Sequence, residues 1–106
     1  MAIFNFDDSN KTLNCAFSGK LDTNISLEIG PEINKNVSDY KNTPGHDDLK
    51  VVFDFENVEF VTSSFIRITV NVAKHVGKKN FSIVNTNPMI KKTFKIAGLD
   101  TELNVT

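Results

Sequence analysis

The chain has 106 residues, 40% of them hydrophobic and 24% charged, with a net charge of -1. That length supports one modest core and a single domain over residues 1–106. Charge is nearly balanced, no basic run exceeds two residues, and no apolar run approaches the ~20 residues that span a bilayer, which argues against nucleic acid and membrane as partners.

Ile3, Phe4 and Phe6 open the chain with β-favouring residues, and Asp7-Asp8-Ser9-Asn10 follows as a polar turn. Thr12 to Phe17 alternates apolar Leu13, Cys15 and Phe17 with Thr12, Asn14 and Ala16, so a hairpin is predicted, ending at Ser18-Gly19-Lys20. Asp22, Thr23 or Asn24 then caps a helix whose face is Ile25, Ile29, Ile33 and Val37. Gly30-Pro31 interrupts it, so the helix either kinks at Gly30 or starts at Pro31. Asp39 to Asp48 reads as a surface loop that tolerates changes in length.

Leu49 to Phe55 is the most apolar stretch and reads as a central parallel strand buried on both faces. Asn57 to Val61 leads to Thr62-Ser63-Ser64, and a heavily packed helix runs from there to a cap at Gly77. Phe81, Ile83 and Val84 mark another strand. Asn87-Pro88 starts a last helix with Ile90, Phe94 and Ala97 inward, Gly98 ends it, and Leu103 to Val105 is a candidate short strand. The later alternation of strand and helix implies parallel pairing with right-handed crossovers.

The chemistry-bearing residues are sparse. His46 and His75 have no neighbours at metal-ligand spacing, and no metal or cofactor motif is present. Cys15 sits mid-strand as a small buried hydrophobe. Glu56 and Glu59 read as solvated turn residues. Asp54 follows an apolar strand, as the phosphoacceptor of a receiver domain would, but two strands precede the first helix and one strand–helix unit is lacking. No nucleophile–base pair can be assembled, so an enzyme is not expected. A lone cysteine and an N-terminus without the marks of a signal peptide point to a cytoplasmic setting.

The Thr62-Ser63-Ser64 cluster has two readings. One of the hydroxyls caps the helix, or a phosphate on one of them is stabilised by the helix N-terminus.

The element order, together with Phe17-Ser18-Gly19-Lys20-Leu21-Asp22, Val51-Val52-Phe53-Asp54, Thr62-Ser63-Ser64 and Ala97-Gly98-Leu99, resembles a STAS domain of the anti-sigma factor antagonist type. The resemblance covers nearly the whole chain. It implies a single small α/β domain, with a mixed four- to five-stranded sheet and helices packed mainly on one face. It implies a protein-interaction module without enzymatic activity, whose partner is an anti-sigma factor that is also a serine kinase. In that family a hydrophobic residue precedes Asp-Ser-Ser/Thr-Gly. Here Val61 is the hydrophobic residue, Thr62 replaces Asp, Ser63 falls on the phosphoacceptor, Ser64 matches the next hydroxyl, and Phe65 replaces Gly. The implied partner-binding surface comprises Asp22, Thr23, Thr62, Ser64 and Phe65, with Phe65 either packing inward or standing outward as an anchor. The rival expectation is a STAS-fold scaffold or small-ligand binder without a phosphoswitch. The oligomeric state is not legible.

Overall fold

The computed structural model describes residues 2–106. Strands β1 (Ala2–Asp7) and β2 (Thr12–Leu21) form the antiparallel hairpin, with Ala2 opposite Phe17 and Asp7 opposite Thr12. The turn is held by Asp7, whose carboxylate accepts from Asn10 Nδ2 at 2.8 Å, Ser9 N at 3.0 Å and Asn10 N at 3.2 Å. The Asn10 side-chain bond is the main cause of a pKa below the usual Asp value. Helix α1 (Thr23–Lys41) leads to β3 (Lys50–Val61), α2 (Ser63–Val76) to β4 (Phe81–Val84), and α3 (Pro88–Ile96) follows. The sheet order is β1-β2-β3-β4, with β2, β3 and β4 parallel. The expected last strand contracts to one parallel bridge, Val105 to Ile83.

Two elements differ from the sequence reading for the same reason. Strand β2 does not stop at Phe17, and β3 does not stop at Phe55. Ala16 faces Asp54 while Ser18 faces Asn57, and Gly19 faces Val58 while Lys20 faces Phe60, so β3 carries an extra residue at each of two bulges. Gly19, at φ +83, supplies the backbone conformation that β2 needs beside them. The bulges re-aim β3, so its buried residues become Phe55, Val58 and Val61, three apart instead of two. Glu56, Asn57 and Glu59 therefore lie on a strand, not in a turn.

The sheet is covered on one face only. Val51, Phe53 and Phe55 are buried beneath the helices, whereas Val52 and Asp54 point to the other, partly exposed side. The expectation of β3 buried on both faces is corrected accordingly. The core is built on Phe17, Phe53, Phe55, Phe65, Phe81 and Phe94, with ring centroids 4.9 Å apart for Phe17–Phe53 and 5.0 Å for Phe53–Phe81.

Helix α1 is continuous across Gly30-Pro31, with Asp22 as its N-cap and Thr23 as its first residue, so the reading in which it starts at Pro31 is corrected. Gly30 serves helix packing: a β-carbon there would lie 3.3 Å from Ile68 Cδ1 on α2. The proline's missing N–H is outweighed by burial of Ile29, Ile33 and Val37. The segment after α1 is also better anchored than its composition suggests. His46 is only 7% exposed, its Nδ1 lies 2.8 Å from the Tyr40 carbonyl oxygen, and Phe6 stacks on Tyr40 at 4.4 Å and on His46 at 5.0 Å.

Candidate functional site

Parallel pairing of β2 with β3 brings Leu21 opposite Val61. The next residues, Asp22 and Thr62, are the N-caps of α1 and α2, so the two helices begin side by side at one edge of the sheet. Thr62 N and Thr62 Oγ1 both donate to the Leu21 carbonyl oxygen, at 3.1 Å and 3.0 Å. Ser64 Oγ donates to Thr23 Oγ1 at 3.4 Å, a second link across the helix starts. The structure thus brings Asp22, Thr23, Thr62, Ser63 and Ser64 together from positions about forty residues apart in sequence.

The three helix starts differ in how they are capped. Asp22 Oδ1 accepts from Ile25 N at 2.9 Å, and Asn87 Oδ1 accepts from Ile90 N at 2.8 Å. At α2 the cap position belongs to Thr62, but its hydroxyl is spent on Leu21 and no side chain caps the helix. The first N–H groups of a helix have no intrahelical acceptor, and here none is supplied by a cap. Replacing Asp22 or Asn87 by Ala is expected to cost about 1 kcal/mol each. Asn87 stands at the upper end, because its Nδ2 also donates to the Val58 and Glu59 carbonyl oxygens at 3.3 Å and 3.2 Å. Urea denaturation checks this; a loss below about 0.3 kcal/mol would show that neither cap is used.

The hydroxyls are not equivalent. Thr62 and Ser64 are partly buried and hydrogen-bonded. Ser63 is exposed at the first position of α2, with no side-chain bond among the described residues. Arg67 is exposed four residues further along the same helix and lines a shallow groove between α1 and α2 with Leu27, Gly30, Pro31 and Ser64. Phe65 resolves the open question about its direction. It is 0% exposed and packs edge-on against Phe17 at 5.2 Å. It is therefore removed from the partner-contacting set and belongs to the core, because its position on α2 faces the sheet. Asp54 accepts from Asn85 Nδ2 and Glu56 N, both at 3.0 Å, and stands away from this edge on the open side of the sheet. His75 is exposed near the far end of α2.

The STAS domain model matches residues 7–106, nearly the full chain. The chain belongs to the STAS domain family. No curated protein matches its sequence significantly. Among solved structures, the STAS domain is similar to an anti-sigma factor antagonist from Mycobacterium paratuberculosis, with a TM-score of 0.80, 20% identity, and coverage of 99% of this chain and 83% of that one. It is also similar to the Bacillus cell fate determinant SpoIIAA in the phosphorylated form, with a TM-score of 0.66, 17% identity, and coverage of 100% and 91%. SpoIIAA in its unphosphorylated form gives the same TM-score of 0.66 at 16% identity, covering 91% of this chain and 83% of that one. At these identities the similarity is one of fold. The family, and the one-sided mixed sheet that the resemblance implied, are both present.

Proposed function

We propose that this STAS domain is a cytoplasmic, non-enzymatic interaction module that binds a regulatory protein of the anti-sigma factor or serine-kinase type, and that phosphorylation of Ser63 releases the partner. The observation that carries this reading is the exposed Ser63 hydroxyl at the one α-helix start, among the described residues, without a side-chain cap. Asp22, Thr23, Thr62 and Ser64 surround it and form the contact surface. The family supports the kind of function, and the solved structures this chain resembles include anti-sigma factor antagonists. A phosphoserine adds about -1.5 to -2 charges, which the free N–H groups of α2 partly offset within the domain. Arg67, one turn along, adds a positive charge on the same helix face. The domain stays folded while the partner meets a new charge on a surface of small hydroxyls.

Ser63→Asp is expected to weaken partner binding at least about hundredfold, with an unchanged unfolding midpoint. The partner is identified by affinity capture from native lysate with ATP, and mass spectrometry reads the phosphorylated residue. Calorimetry then compares Ser63→Asp, Ser63→Ala and wild type. Equal affinity for all three would remove the switch. That result would favour a constitutive scaffold, the reading motivated by Thr62, whose hydroxyl ties the helix start to β2 where the family has an acidic side chain.

A further inference from the structure

Two clefts on opposite flanks of the helical layer complement each other. Helix α3 lies over the β3–β4 side, and along it runs a cleft of about 680 Å³ lined by Thr86, Pro88, Lys91, Lys92, Lys95 and Ile96. It contains three lysines and no carboxylate. Its rim is apolar, with Ile96 77% exposed and Met89 nearby 60% exposed. Helix α1 lies over the β1–β2 side, where a cleft of about 380 Å³ is lined by Ala2, Ile25, Glu28, Ile29 and Glu32. Among the described residues it contains two glutamates and no cation. The ion pairs among the described residues are Lys11–Asp8, Lys35–Asp39 and Lys78–Glu102, so no described residue pairs with the charges of either cleft.

The spacings match as well as the signs. Glu28 and Glu32 are four residues apart on one helix, and so are Lys91 and Lys95 on another. At a rise of about 1.5 Å per residue, each pair spans about 6 Å along its axis. A lysine pair can therefore meet a glutamate pair in register across the contact.

We infer that the lysine cleft of α3 in one copy docks onto the glutamate cleft of α1 in a second copy, giving a head-to-tail self-association. The two surfaces are different, so the contact is heterologous, and an associated pair retains one free cleft of each sign, one on each copy. Association extends with concentration and weakens with salt.

Sedimentation velocity on the full chain tests this. Wild type is expected to show a concentration-dependent rise in sedimentation coefficient up to about 1 mM at low salt, lost above about 0.5 M salt. Lys91→Glu/Lys95→Glu and Glu28→Lys/Glu32→Lys are each expected to weaken it about tenfold or more, with circular dichroism confirming the fold. An equimolar mixture of the two is expected to restore it, since each supplies the cleft that the other lacks. Lys74→Glu/Lys79→Glu has the same net charge as the first variant but touches neither cleft, and it is expected to associate like wild type. A wild type that stays monomeric at low salt overturns the proposal. So does self-association that survives both reversals, a mixture that fails to restore it, or an equal loss in the Lys74/Lys79 control.

Discussion

Phe65→Ala is expected to cost the domain about 3–5 kcal/mol, measured by urea denaturation against wild type. The ring is fully buried and meets Phe17 at 5.2 Å, Phe55 at 5.9 Å and Phe53 at 6.2 Å. Truncation removes its transfer free energy and leaves a void that three large rings on a rigid sheet cannot fill. A domain of this size has a total stability of about 5–15 kcal/mol, so about a fifth or more of it is at stake. The melting temperature should fall by roughly 12 °C or more. A loss below about 1.5 kcal/mol would show that the site collapses around the missing ring and that Phe65 is not a keystone of the core. The result bears directly on function. Weakened partner binding by this variant would report lost fold, not a lost contact. Phe65→Leu, which keeps most of the volume, should leave binding intact.

The second large effect concerns Cys15. The thiol is fully buried in mid-strand, and desolvation pushes its pKa from the ordinary 9.0 up to about 12. At pH 9 an unfolded cysteine is half ionised, while about one native Cys15 in a thousand is, so thiolate supply alone slows native modification by about five hundredfold. Reaction with a disulfide reagent at pH 9, in buffer and in denaturing urea, measures this; rates within about tenfold of each other would contradict the burial. The same shift makes stability depend on pH. Below pH 9 both states hold the proton and nothing is lost. As pH rises from 9 towards 12 the unfolded chain releases its proton and the native chain does not, so unfolding becomes easier. Between pH 8 and 10 wild type should lose about 1.4 kcal/mol more stability than Cys15→Ala.

What the sequence made legible was whatever followed an unbroken period. The alternation of Leu13, Cys15 and Phe17, the four-residue spacing of Ile25, Ile29, Ile33 and Val37, and the Asn87-Pro88 helix start all stand where the residues put them. Legibility failed where tertiary context overrode a local signal. The bulges in β3 space Phe55, Val58 and Val61 by three, which fits neither a strand nor a helix, so the strand seemed to end early. Gly30-Pro31 reads as a break because its cost is local, while its compensation comes from burial of Ile29, Ile33 and Val37 along the same helix. Composition marks His46 as a loop residue; the approach of Phe6 from β1 and the Tyr40 carbonyl oxygen hold it in place. Among the candidate site residues, the hydroxyl cluster announced itself. That Ser63 alone is exposed and unbonded depends on Leu21 and Thr23, which no motif around residue 63 contains.

The bond from Thr62 to Leu21 spans 41 positions of the chain, as does the contact between Ser64 and Thr23. The surface around Ser63 is therefore a conformational epitope. A synthetic peptide carrying the whole hydroxyl cluster lacks half of it, and so does a nascent chain until β3 has paired with β2. Any enzyme or antibody that reads this surface reads the finished fold, and a screen built on linear peptides would pass over it.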